Sequence, residues 1–303
     1  MNAPFDHTRP VVAGIDGSAA ALQAVRWAAR EAKLRQLPLA LVHAYADPAE
    51  SIADFEVAQT ANASLRAQAH RWLRSALYTV HEVDTDLRPR IDLAIGEPVP
   101  TLVDRTSRAA LLVVGSHGLG GFTGMLVGST AIALAARARC PVAVVRAAPL
   151  GGWPADGPIV VGIDGSPASE EAIAFAFHEA SLRGCELVAV HTWNEVFIDT
   201  ELSFERIAFD TTVLREHERE LLAQRLAGWQ EKYPDVRVHR VVEQNRPVRA
   251  LLEHGADAQL ILVGSRGRGG LAGTLLGSTS QALVHYAPCP LIIARPRDEE
   301  RER

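Results

Sequence analysis

Short apolar runs alternate with longer stretches of helical spacing along this chain. The first run, Arg9 to Ile15, closes in Gly14-Ile-Asp16-Gly17 and predicts a strand followed by a turn. Ser18 is placed to cap an alanine-rich helix from Ala19 to about Arg35, bounded by Pro38. Leu39 to Tyr45 predicts a second strand, and Asp47 to about Thr60 an irregular segment. Ala61 to His81 shows a helical face at Leu65, Ala69, Trp72, Leu73 and Leu77. Leu87 to Ile95 predicts a third strand, Pro98 to Arg108 a short helix, and Ala110 to Gly115 a fourth strand. A glycine-rich loop, a helix from Ser129 to Arg139 and a fifth strand from Val142 to Arg146 complete the unit. The strands read as unbroken apolar runs, as expected of parallel strands covered by helices on both faces. Strand–helix alternation with right-handed crossovers predicts a doubly wound α/β domain.

The unit then repeats. Val-Ala-Gly14-Ile-Asp16-Gly-Ser18 returns as Val-Gly162-Ile-Asp164-Gly-Ser166, and His43 returns as His191 at the same interval. Pro98 returns as Pro247, Gly115 as Gly264 and Cys140-Pro141 as Cys289-Pro290, all one residue further on. Each copy has the size of a self-sufficient domain and exceeds a solenoid repeat. The expected domains are 1–148 and 157–297. Between them lies a linker, Leu150 to Gly157, and at the end a charged tail from Arg295 to Arg303. Strands are expected near 158–163, 186–193, 236–243, 259–264 and 290–294 of the second copy, with a solvated helix at 212–231.

Composition narrows the function classes. Hydrophobic residues make up 48% of the 303, enough for two packed cores, and the net charge of −5 offers no overall basic field for nucleic acid or anionic lipid. There is no apolar run near the ~20 residues of a membrane span. Nor does the start show a signal-peptide pattern, so a cytoplasmic location is expected. Three cysteines (Cys140, Cys185, Cys289) without a C-x-x-C pair imply neither a disulfide framework nor zinc.

The chemistry gathers at strand ends. Gly115-Ser-His-Gly118, nine residues, and Gly128-Ser129-Thr130 recur as Gly264-Ser-Arg-Gly267, nine residues, and Gly277-Ser278-Thr279. Glycines let backbone N–H groups approach phosphate, and the helix opening after them favours an anion. Gly120-Gly121 would add to that cradle. The competing reading is that these are turn glycines and that Ser129 is only an N-cap. Asp16 and Asp164, at the ends of the first strands, can order a ribose hydroxyl or a magnesium ion, or simply form a turn. His43 and His191 read as satisfied buried histidines, and Trp27 and Phe175 as packing. His117 becomes Arg266 and Leu119 becomes Arg268, so an arginine can clamp phosphate oxygens in the second copy only. The chain lacks a G-x-x-x-x-G-K-[ST] loop, a G-x-S-x-G elbow and an H-E-x-x-H motif; Lys33 and Lys232 are its only lysines. Gly267-Arg-Gly269-Gly-Leu-Ala272 fits a dinucleotide fingerprint but follows the wrong strand.

The G-x-x-G-x9-G-[S/T] pattern after the fourth strand, with Ile-Asp-Gly-Ser after the first, resembles the universal stress protein family in both copies. The resemblance implies two tandem five-stranded parallel-sheet domains of order 3-2-1-4-5, each holding ATP. It places Gly14 and Asp16 against the nucleotide, Ala44 at adenine, and Gly115, Gly118, Gly128, Ser129 and Thr130 at the phosphates. The second-copy counterparts are Gly162, Asp164, Thr192, Gly264, Gly267, Gly277, Ser278 and Thr279, and Thr192 for Ala44 alters the adenine side. Asp16 and Asp164 would meet Mg2+ indirectly. The family also pairs through its last strand, so Val142 to Val145 and Leu291 to Ala294 imply a homodimer or pairing of the two domains within the chain. The implied role is a stress-response regulator with a protein partner of its own. The alternatives are a slow ATPase or nucleotidyl-transferring enzyme using the same loops, or a scaffold with vestigial ones.

Overall fold

A computed structural model of the chain describes residues 8–118, 128–147, 152–154, 156–193, 211–268 and 275–295. The expectations for Leu119, Gly120-Gly121, Gly269, Ala272 and the tail beyond Arg295 lie outside these residues.

The first copy runs β1 (Val11–Gly14), α1 (Ala19–Arg35), β2 (Leu39–Tyr45), α2 (Phe55–Val83), β3 (Arg90–Ile95), α3 (Pro98–Thr106), β4 (Leu111–Gly115), α4 (Ser129–Arg137) and β5 (Val142–Val145). The second runs β6 (Ile159–Gly162), α5 (Pro167–Arg183), β7 (Leu187–Trp193), α6 (Thr211–Lys232), β8 (Val238–Gln244), α7 (Pro247–His254), β9 (Leu260–Gly264), α8 (Ser278–Tyr286) and β10 (Leu291–Ala294).

Two boundaries differ from the sequence pattern by more than two residues. Helix α2 starts at Phe55, not Ala61: the Asp54 carboxylate accepts from the N–H groups of Glu56 and Val57, while Phe55 and Val57 stay exposed and carry no apolar face. Strand β3 starts at Arg90, not Leu87, because Pro89 has no N–H to give a ladder.

Each copy is parallel in the order 3-2-1-4-5, and the copies join edge to edge into one ten-stranded sheet, β3-β2-β1-β4-β5-β10-β9-β6-β7-β8. The seam is antiparallel, with Val144 opposite Leu291, Ala143 opposite Ile292 and Val142 opposite Ile293. The last strands thus pair within the chain. Alternate strand residues feed opposite cores: Val11 and Ala13 join α1 and α2 on one face, Val12 and Val42 meet α3 and α4 on the other. Both cores run through both copies. Only the outer strands β3 and β8 are half exposed, and there the continuous apolar pattern gives way to Arg90, Asp92, His239 and Arg240.

Helices α1 and α5 meet across the seam through a buried ionic quartet. Arg35 Nε lies 3.0 Å from Glu31, Arg35 Nη2 lies 2.7 Å from Glu179, and Arg183 pairs with both Glu179 (3.0 Å) and Glu31. The Arg35 guanidinium also covers the Phe175 ring at 5.1 Å. Burial opposes the charge of Glu31, but Arg183 and Arg35 outweigh it and hold its carboxyl below the usual carboxylate range. Burial pushes Glu179 up, despite the same two arginines. Of two carboxylates sharing two cations, Glu31 therefore takes the firmer charge. On the opposite face the copies exchange arginines. Arg146, after β5, donates to the carbonyl of His285 near the end of α8, and Arg295, after β10, donates to that of Ala135 in α4.

Candidate functional site

The order β2-β1-β4 sets the carboxyl ends of three strands side by side, with the chain leaving β1 toward β2 on one side and meeting β4 on the other. This is the switch point where an open parallel sheet leaves a crevice. Asp16 follows β1, Ala44 lies near the end of β2 and Gly115 closes β4.

The turn after β1 is stitched to the loop after β4. Asp16 Oδ1 accepts from the Ser18 N–H at 3.0 Å and from its hydroxyl at 2.6 Å. The same hydroxyl lies 3.2 Å from the His117 carbonyl and accepts from the Ala21 N–H at 3.1 Å, capping α1. The second copy repeats this. Ser166 N–H donates to Asp164 Oδ1 (2.9 Å), Ser166 Oγ reaches the Arg266 carbonyl (3.2 Å), and the Arg268 N–H donates to Asp164 Oδ2 (3.0 Å). Burial works against the Asp164 charge, but the Ser166 hydroxyl and N–H, the Arg268 N–H and the Ser169 hydroxyl outweigh it and hold the carboxyl below its usual range. Each aspartate therefore forms the turn and also faces the glycine loop.

The glycines divide by what their missing side chains permit. A Cβ on Gly118 would lie 2.6 Å from Asp16 Oδ2, and one on Gly267 would overlap Asp164 Oδ2, so these two allow the loop to touch the carboxylate. At Gly115 and Gly264 a Cβ would lie 2.8 and 2.6 Å from the backbone of Ala20 and Ala168. These two seat the first helix of each copy on its strand, a packing duty in addition to the phosphate contact expected of them. Gly14 and Gly162 face the side chains of Leu102 and Leu251 in α3 and α7.

The loop closes at its base, where Gly128 N–H donates to the Ser116 carbonyl (2.8 Å) and Gly277 N–H to that of Ser265 (2.9 Å). Gly128 and Gly277, not the serines after them, occupy the N-cap positions of α4 and α8. They bring no side-chain acceptor, which leaves the N–H groups of Ser129 and Thr130, and of Ser278 and Thr279, at the helix starts open to an anion, with the hydroxyls of the same residues beside them.

In the second copy all eight expected residues, Gly162, Asp164, Thr192, Gly264, Gly267, Gly277, Ser278 and Thr279, line one cavity of about 450 Å3. That volume lies in the range of small-molecule sites. Val190, Leu251 and Leu276 supply apolar wall, and Arg266 and Arg268 supply cations. Among the described residues no three His, Cys, Asp or Glu side chains gather to hold a metal ion. A Mg2+ there would take most of its ligands from a bound polyphosphate and water, with Asp16 or Asp164 as the nearby carboxylate.

The histidines at the strand ends are satisfied. His43 Nδ1 donates to the Ile15 carbonyl at 2.6 Å and His191 Nδ1 to that of Ile163 at 2.7 Å. Their other sides differ: His43 meets the Trp72 ring edge-on at 5.2 Å, whereas His191 Nε2 lies 2.8 Å from Glu218. His117 hydrogen-bonds Ser116 Oγ at 2.7 Å. Burial first, then Arg146 and His285, lower its pKa, which favours its neutral form. Ser169, Val190, Leu251, Leu276 and Gln281 also line the second cavity, and nothing in their spacing marked them as site residues. Trp72, against His43 in the first copy, was visible only as part of a helix face.

The sequence model of the universal stress protein family matches residues 7–146 and 157–295. A universal stress protein of Mycobacterium tuberculosis is 41% identical over 289 residues, covering 94% of this chain and 96% of the relative. A second from the same organism is 40% identical over 299 residues, with the same coverage of 94% and 96%. The crystal structure of a universal stress protein from Archaeoglobus fulgidus superposes with a TM-score of 0.66 at 18% identity, covering 96% of this chain and 97% of that one, and so shares the fold.

Proposed function

The chain belongs to the universal stress protein family, and on that premise we propose that it binds ATP with Mg2+, one molecule in each of the domains 1–148 and 157–297, and acts as a cytoplasmic stress-response regulator. The carrying observation is the second-copy cavity, in which a glycine loop closed at its base, an open helix N-terminus and an ionised aspartate face one space. Adenine would sit by the Thr192 backbone, ribose at Asp164, and the phosphates at Gly267 and Gly277 to Thr279. The equivalent residues of the first copy are Ala44, Asp16, Gly118 and Gly128 to Thr130. A regulator is favoured over an efficient ATPase because turnover needs a base or a cation at the transferred phosphoryl group. The arginines flank only the second loop, and the neutral form of His117 is favoured in the first. A protein partner would read occupancy.

Titration with magnesium-ATP tests this. Two equivalents are expected to bind, and nucleotide recovered after denaturation should be intact ATP by mass spectrometry. Gly118→Ala and Gly267→Ala should each remove one equivalent, since the new methyl group meets the aspartate carboxylate. Binding of no nucleotide would refute the proposal, and rapid release of ADP would favour the enzyme.

A further inference from the structure

Gly17 and Gly165 sit at the same place in the two copies, in the turn between first strand and first helix, with φ of +85° and +77°. What lies over them differs. In the first copy the Trp72 indole occupies the space a Cβ would take. In the second, that space is bordered by two guanidinium groups, with Arg268 Nη2 at 2.5 Å and Arg225 Nη2 at 2.9 Å from the same point. The Arg268 backbone is tied down by its N–H bond to Asp164 Oδ2 at 3.0 Å, and the Arg225 guanidinium is held by its ion pair with Glu170 from α5. The repeat places Ala76 or Leu77 where Arg225 stands and Leu22 where Glu170 stands, so the first copy has neither the cation nor its holder.

We infer that the two domains are unequal nucleotide sites: the second selects for the length of the phosphate chain through Arg268, with Arg225 positioned behind it, and the first does not. The inference rests on the nucleotide reading above and adds what each site distinguishes. Both sites offer phosphate the same neutral donors, namely loop and helix N–H groups and the hydroxyls of Ser129 and Thr130 or Ser278 and Thr279. These serve the first phosphates of a chain about equally in the two copies. Arg266 and Arg268 add cations on the cavity wall of the second copy alone, and a guanidinium gains most from the terminal phosphates, which carry most of the charge. At the matched positions the first copy carries His117 and Leu119. Trp72 fills the equivalent position with an uncharged ring, which takes a sugar or base as readily with one phosphate as with three.

The test uses the full chain, with Gly118→Ala to leave the second site alone and Gly267→Ala to leave the first. Dissociation constants for AMP, ADP and ATP are measured by calorimetry on each. One charge-assisted hydrogen bond corresponds to roughly tenfold or more in affinity. The ratio of AMP to ATP dissociation constants should therefore be about tenfold larger at the second site than at the first. Adding Arg268→Ala should bring that ratio down to the first-site value by weakening ATP and sparing AMP, while Arg268→Lys should restore it in part. Arg225→Gln should give a smaller loss of the same kind. Equal ratios at the two sites, or an Arg268→Ala variant that weakens AMP and ATP alike, would overturn the inference while leaving two nucleotide sites standing. No adenine nucleotide bound at either site would remove both readings together.

Discussion

Replacing Glu31 by glutamine removes one negative charge from the quartet beneath the seam and leaves its shape. The Glu31 side chain is 1% exposed and Arg35 2%, so water does little to screen the change. Two charge-assisted contacts are lost, to Arg35 Nε at 3.0 Å and to Arg183. At about 1.5–3 kcal/mol for each such bond, and with two arginines left facing Glu179 alone, the expected cost is about 3–5 kcal/mol. The control is Glu170→Gln, whose partner Arg225 is 35% exposed. An ion pair of that exposure contributes about 0.5 kcal/mol. Urea unfolding followed by circular dichroism and tryptophan fluorescence compares the two. Because Glu31 has a depressed pKa in the folded state, its contribution is present above the unfolded carboxylate value near 4.3 and is lost as pH falls through the folded value. The gap between wild type and Glu31→Gln should thus be full at pH 7 and close in acid below about pH 4. A Glu31→Gln cost at pH 7 no larger than that of Glu170→Gln, or a gap that persists unchanged at low pH, would refute the reasoning.

Gly115→Ala should destabilise the chain by about 1–3 kcal/mol whether or not nucleotide is present, because its methyl meets the Ala20 backbone rather than a ligand; thermal melts with and without ATP check this. Ser166→Ala removes the hydroxyl that caps α5 and donates to the Arg266 carbonyl, and should cost about 1 kcal/mol in unfolding free energy. Burial pushes the thiols of Cys140 and Cys289 up to about 12, so neither should react with a thiol reagent at pH 8 until denaturant is added, which a timed absorbance assay reads directly.

The strand order came with the family resemblance, whereas the strand-end residues were legible because the duplication prints each twice: Asp16 and Asp164, or Gly118 and Gly267, stand out only when the copies are laid side by side. Apolar runs likewise revealed the strands buried on two faces, and misplaced by more than two residues only the start of β3, an edge strand in which Arg90 and Asp92 interrupt the run. The first two turns of α2 were invisible because Phe55 and Val57 bury nothing; only Asp54 marked the start. Ser129 looked like a cap, yet the helix begins one residue earlier in its own frame, with Gly128 as the cap. The quartet was hidden for a different reason. Glu31 and Arg35, four apart on a helix, look like a solvated pair until the other copy arrives to cover them.

The antiparallel seam between β5 and β10 has a consequence for how the halves can change. When two identical chains meet around a twofold axis, every substitution appears on both sides at once, and neither half can specialise. Here one polypeptide carries both halves, so their meeting is intramolecular and does not depend on how much protein is present. Matched positions at the seam, Glu31 with Glu179 and Arg35 with Arg183, keep the symmetry that holds the sheet together. Away from it, Trp72 and Arg225 are free to differ. The chain is in effect a tethered heterodimer, one that dilution will not separate into halves and in which a ligand for one half always finds the other beside it.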